Sequence, residues 1–210
     1  MFHPLIEDCV KNDLTIDGKS ILITGSNMSG KSTFLRTLAI NSILAQTIYT
    51  CFADNFSTPL LKQFSSIRID DNLLDGKSYY FQEVNIMSSL LSQVTLPNQN
   101  LFLLDEVFKG TNTVERIAAA KSILSYLNRN DNIVIVSTHD IELAEMLKKE
   151  YDLYHFTETI NENKLHFDHT LKEGPLKTSN AIRILEQSGY PEEVIAEAKK
   201  LILKVFFRID

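Results

Sequence analysis

The chain is 210 residues long, with 21 Lys and Arg against 27 Asp and Glu, and its formal net charge at pH 7 is -6. That length favours one large domain or two small ones, and the acidic balance excludes a chain-wide basic footprint for nucleic acid. With 44% hydrophobic residues, 7 Gly and 5 Pro, the composition excludes a disordered or fibrous chain and suffices for a sizeable core.

The start, Met1-Phe2-His3-Pro4, lacks the basic residues and long apolar run of a signal peptide, and no apolar stretch approaches the ~18 residues of a membrane span. A cytoplasmic location without a membrane partner is expected. Cys9 and Cys51 offer neither metal-ligand spacing nor a disulfide framework, so both read as reduced and structural. Ser20-Ile21-Leu22-Ile23-Thr24 is a short β-branched strand that ends at Gly25, where a glycine-rich turn begins. From Ser32 to about Tyr49 the sequence is rich in Leu, Ile and Ala, lacks Gly and Pro, and is apolar on nearly every face, as in a helix buried against a sheet.

Ser78 to Val94 reads as a helix after the turn signal Asp75-Gly76, with Phe81, Val84, Met87, Ser88 and Leu91 on one stripe and Pro97-Asn98 as its stop. Leu101-Phe102-Leu103-Leu104 and Ile133-Val134-Ile135-Val136 are unbroken apolar runs, as in parallel strands covered on both faces. Val114 to Asn128 and Ile141 to Lys149 read as the helices that follow them, so the chain is α/β. Leu153 to Thr159 and Lys164 to Thr170, joined at Asn161-Glu162-Asn163, read as a hairpin at the sheet edge, closed by Gly174-Pro175. The tail from Pro191 is an amphipathic helix with Val194, Ile195, Ala198, Leu201, Ile202 and Val205 on one face.

Gly25-Ser26-Asn27-Met28-Ser29-Gly30-Lys31-Ser32 fits the G-x-x-x-x-G-K-[ST] pattern directly after a strand and at the opening of a helix. Glycines let backbone N–H groups curl around phosphate oxygens, and the helix N-terminus adds its positive dipole end. Lys31 would reach the β and γ phosphates of ATP and the Ser32 hydroxyl would ligate Mg²⁺. A chance glycine turn before a helix is the competing reading. Asp105-Glu106 follows a buried parallel strand and so emerges at the same carboxyl edge as the loop. Asp105 would hold the Mg²⁺ shell and Glu106 would orient and polarise the attacking water; a simple turn and helix cap is the alternative. His139, in Ser137-Thr138-His139-Asp140, should emerge at that edge too, within reach of the γ-phosphate or the water. His166 and His169 are offset by three along a strand and so point to opposite faces, which argues against a metal pair; no metal beyond Mg²⁺ is implied.

The run from Ile21 to Thr33, with Leu104-Asp105-Glu106-Val107-Phe108-Lys109-Gly110-Thr111-Asn112-Thr113, closely resembles the ATPase domain of the MutS family of DNA mismatch-repair proteins. Asn27-Met28 inside the loop and Gly110-Thr111-Asn112-Thr113 after the acidic pair are more specific to that family than the generic loop. The likeness runs from His3-Pro4 to the helix at Pro191. It implies a P-loop NTPase of ABC type: a mostly parallel central sheet flanked by helices, an edge β-hairpin and a C-terminal helical tail. Residues 1–175 would form the ATPase core, and 176–210 a helical segment packed on the core or on a dimer partner.

In that class ATP is sandwiched between the loop of one subunit, here Gly25 to Thr33, and a signature helix of a second copy. The resemblance puts Ser78 at the start of that helix, against the γ-phosphate held by the opposite subunit, where a plain Ser N-cap is the alternative. Tyr79-Tyr80 departs from the small residue and aromatic that the family more often has after this serine. Gly110-Thr111-Asn112 would lie at the dimer junction, with His169 and Val10 flanking adenine. The resemblance also implies that DNA is handled through domains absent from this chain. Other readings are a transporter or SMC-type ABC ATPase, which the Ser78-Tyr79-Tyr80 segment disfavours, and an ATP-gated dimerisation switch with little turnover.

Overall fold

Ile21 and Ile23 point to one face of their strand and Leu22 to the other, and all three are buried, as a central strand of a parallel sheet requires. The structure, a computed structural model, describes residues 1–67, 79–95, 99–161, 164–176, 182, 185–186 and 188–207. Its elements in chain order are β1 (Ser20–Thr24), α1 (Lys31–Thr47), β2 (Lys62–Ser66), α2 (Tyr79–Leu91), β3 (Asn100–Asp105), α3 (Thr113–Leu127), β4 (Ile133–Thr138), α4 (Ile141–Leu147), β5 (Tyr151–His155), β6 (Glu158–Asn161), β7 (Lys164–Phe167), β8 (Lys172–Glu173) and α5 (Glu192–Phe207).

Six strands form one sheet in the order β2-β3-β4-β1-β5-β8, parallel except for β8, which runs antiparallel to β5. The period-two alternation sorts the strand side chains into two cores. Ile21, Ile23, Leu101, Leu103 and Ile135 face α1 and meet its Phe34, Leu35 and Leu38. Leu22, Phe102, Leu104, Val134 and Val136 face the other way, onto Met87, Leu124 and Leu143 from α2, α3 and α4. Helices therefore cover both faces, and β1, β3 and β4 are buried along their length except at Ile133, where β4 begins. No described helix is long and apolar enough to cross a membrane.

The expected edge hairpin from Leu153 to Thr170 is corrected. Its first strand is two elements: β5 pairs parallel with β1 inside the main sheet, and β6 pairs antiparallel with β7 in a separate two-stranded sheet. Tyr-Asp-Leu-Tyr-His alternates like a half-solvated strand, yet Tyr151 and Phe156 are buried against the core. β7 also ends at Phe167, so His169 lies beyond the strand, in a left-handed backbone conformation (φ 50), and strand alternation does not apply to it. β2, with Phe64 as its one large apolar residue, and the two-residue β8 offer too little periodicity to be read from sequence. Ser78, Asp75-Gly76, Pro97-Asn98 and the turn residues 162–163 lie outside the described residues.

Leu103 is completely buried between β3 and α1. Leu103→Ala should lower the unfolding free energy by about 3 kcal/mol, read from urea denaturation. A loss under about 1 kcal/mol would mean that this face is not close-packed.

Candidate functional site

Register fixes where the chemistry-bearing segments meet. Thr24 is level with Thr138, and Asp105 with Ser137, so β1, β3 and β4 release their following loops side by side at one sheet edge. The loop after β1 is held there from within. Lys31, 5% exposed, folds back so that its Nζ donates to the Gly25 carbonyl at 2.7 Å and the Ser26 carbonyl at 2.9 Å. Gly25 is obligatory because a Cβ there would stand 2.8 Å from Ser29 Oγ and 2.9 Å from the Phe156 carbonyl. Gly30, at φ 117, caps α1 in a conformation that L side chains avoid. Met28, also left-handed at φ 69, is thrust into solvent at 83% exposure.

Across the edge, Ser137 Oγ donates to Asp105 Oδ1, and the Glu106 N–H donates to the Ser137 carbonyl at 3.0 Å. Glu106 then turns with φ 54, and its carboxylate meets two ammonium groups and an imidazole: Lys31 Nζ at 4.0 Å, Lys109 Nζ at 3.2 Å and the His139 ring at 3.4 Å. The contact with His139, helped by Lys109, outweighs burial and holds the Glu106 carboxyl down to about 2. Glu106 reciprocally raises His139 above its ordinary value, whereas burial lowers Lys31 against the pull of Glu106 and Asp105. Asp140 takes Arg116 of α3 in a two-pronged ion pair, at 2.7 and 3.1 Å, and its N–H donates to Thr138 Oγ1 at 3.0 Å. The turn carrying His139 is thereby pinned to α3.

The opposite side of the loop is gripped by His169 and by residues that sequence reasoning passed over. Ser26 Oγ donates to Glu158 at 2.8 Å, and the Phe156 N–H donates to the Thr24 carbonyl at 2.9 Å. His169 Nδ1 lies 3.0 Å from the Ser29 carbonyl, and Asn12 Nδ2 donates to the His169 carbonyl at 2.9 Å. A cavity of about 720 Å³ opens between these walls. Of the residues singled out in the sequence, Ser26, Asn27, Met28, Gly30, Lys31, Ser32, Thr33, Asp105, Glu106, His169 and Val10 line it. Gly25 and Ser29 sit in the fold of the loop, His139 touches the cavity wall through Glu106, and Ser78 lies outside the described residues. Cys9, half-buried, also faces the cavity; neither cysteine is bonded to the other. Glu158, Arg116 and Asn12 reach the site over sequence separations of 132, 24 and 157 residues, with no local signal to announce them.

The family model described as MutS domain V matches residues 21–205. Curated relatives include the DNA mismatch repair proteins MutS of Fusobacterium nucleatum, 32% identical over 97% of this chain and 24% of that protein, and of Aquifex pyrophilus, 33% identical over 95% and 24%. The counterpart from Pseudothermotoga lettingae is 34% identical over 95% of this chain and 26% of its own length. The chain thus spans about a quarter of the curated relatives it matches. It belongs to the MutS family, as a domain V.

The Glu106–His139 contact makes stability depend on pH in a definite direction. Glu106, depressed from an ordinary 4.5, contributes above that value and loses its contribution as pH falls towards about 2. His139, raised from an ordinary 6.5, contributes below 6.5 and loses its contribution as pH rises through its folded value. Imidazole NMR should therefore find His139 titrating above 6.5 in the wild type and dropping back in Glu106→Gln. An unmoved titration in that variant would refute the pairing.

Proposed function

We propose that this domain binds and hydrolyses ATP with Mg²⁺, as a P-loop module of ABC type that closes on a second copy of itself or of a related domain. The observation that supports this reading most is that three segments far apart in sequence, Gly25–Ser32, Asp105–Glu106 and His139, line one sheet edge around a buried lysine. The donor set suits a triphosphate. Lys31 lines the cavity, desolvated, with its nearest carboxylate at 4.0 Å. An arriving polyanion would supply the opposite charge that Lys31 lacks.

Ser32 and Asp105 would hold Mg²⁺, and the ion would supply positive charge against the phosphates. Glu106, held near 2, is ionised throughout the working pH range and too weak a base to keep a proton. Its role is to orient the attacking water and to stabilise its polarisation, with His139 and Lys109 fixing the carboxylate. Lys31 would take up charge on the β and γ phosphates in place of its present carbonyl partners. His169 and Val10, which the family resemblance puts beside adenine, both line the cavity and would flank the base.

Residues 1–175 form the ATPase core on this reading, and 176–210 a helical segment that docks on the core or on a dimer partner. Val114, at 79% exposure, follows the Gly110-Thr111-Asn112 loop, and Tyr80, at 38%, packs on Gly110; both are candidates for the second copy's contact. Because the matching relatives are mismatch repair proteins, ATP-gated pairing would drive DNA handling by segments outside this chain.

Glu106→Gln should keep ATP binding while phosphate release falls at least about 100-fold. Lys31→Ala should weaken ATP binding by about tenfold or more, read by titration with a fluorescent nucleotide. Sizing with ATP, with ADP and without nucleotide tests pairing. ATP-dependent dimers with no phosphate release would overturn hydrolysis in favour of a switch, and unchanged nucleotide affinity in Lys31→Ala would overturn the site itself.

A further inference from the structure

We propose that Glu83, on α2, is a positioning residue for Glu106: it clamps the loop after β3 and so sets the carboxylate to which the preceding reading, on which this inference rests, gives the attacking water.

The loop is strained at two non-glycine positions, Glu106 at φ 54 and Phe108 at φ 61. Left-handed backbone is disfavoured for any L side chain and most for a bulky one, and it persists only where the surroundings over-determine it. Here α2 supplies the surroundings. Glu83 is 2% exposed, and its two carboxylate oxygens accept separate backbone N–H groups, from Lys109 at 3.0 Å and from Gly110 at 3.1 Å. One helical turn earlier, the Tyr80 ring lies 5.9 Å from that of Phe108. Gly110 comes so close to this turn that a Cβ on it would stand 2.9 Å from Tyr80 Cβ.

The choice of residue is informative. Burying a carboxylate costs more than burying an apolar side chain, and its two oxygens let it take two successive N–H groups, one on each. The acid is therefore suited to holding the loop rather than to filling space. Its consequence reaches the cavity directly. Lys109, whose N–H Glu83 fixes, has its own Nζ at 3.2 Å from the Glu106 carboxylate. The distance and direction of Glu106 from the loop around Lys31 follow from where α2 holds this segment, and any shift of α2 is passed to Glu106.

The test compares the full chain as wild type, Glu83→Gln, Glu83→Ala and Gly110→Ala, each checked for folding by circular dichroism. Single-turnover phosphate release is read beside a fluorescent ATP-analogue titration. Gln retains one acceptor and turns a donor towards the other N–H, so phosphate release should slow by about tenfold or more, and further in Glu83→Ala, with ATP affinity within about threefold of wild type. Gly110→Ala, which pushes the loop off α2 with Glu83 intact, should show the same split, and it decides the matter with Glu83→Gln if Glu83→Ala does not fold. Wild-type phosphate release in a folded Glu83→Gln variant, with only its melting temperature lowered, overturns the inference alone. A wild-type chain that releases no phosphate overturns the reading of Glu106 and this inference together.

Discussion

The parallel register of β1, β3 and β4 is the constraint from which the rest of this molecule follows. Strands paired in parallel begin at one edge and end at the other, so each delivers its following loop to the same side. Thr24, Asp105 and Thr138 reach that side at nearly the same level. The alignment is secured by burial rather than by the loops themselves. Slipping any one strand by a single residue would turn Ile21 and Ile23, or Leu101 and Leu103, from the α1 face to the opposite face. A polar site assembled from distant segments is thus held in place by apolar side chains that never touch it.

The same arrangement resolves an apparent contradiction in charge. The chain is acidic overall, yet the cavity gathers Lys31 and Lys109, with His139 at its wall, around one carboxylate. On the proposed reading, net charge gives a polyanion no long-range attraction, and recognition would act at short range, through desolvated groups where screening is weak. Arg116 and Asp140 fit this economy of charge. Their mutual pairing, with Asp140 9% and Arg116 14% exposed, withdraws Asp140 from competition for the His139 ring, which lies nearer to Glu106.

How far the sequence predicts this follows from the range of each interaction. The loop from Gly25 to Ser32 is a contiguous pattern whose strand and helix flank it, so its residues and its surroundings are read together. Asp105-Glu106 and His139 need one more step, the rule that parallel strands end at a common edge, and that step holds. β5 misleads because its alternating polar residues imitate an edge strand, while its burial comes from β1 and from Leu153 and Phe156 meeting opposite cores. Glu158 and Arg116 carry no periodicity, spacing or composition signal at all. Each is one charged residue among many until the fold brings it to Ser26 or to Asp140.

The loop around Lys31 is gripped from both sides, and the two grips differ in kind. On the β5 side Phe156, Glu158 and His169 hold backbone and hydroxyl groups of the loop by short, specific contacts that leave its conformation little freedom. On the β3 side, among the described residues, the contact with the loop is the ion pair of Glu106 with Lys31, at 4.0 Å, and Glu106 stands on a strained turn held by α2. The wall that carries Glu106 is reached through a helix whose first turn is partly exposed, at Tyr80 and Phe81, so that on the inference drawn above a group meeting that turn would act on Glu106 through α2.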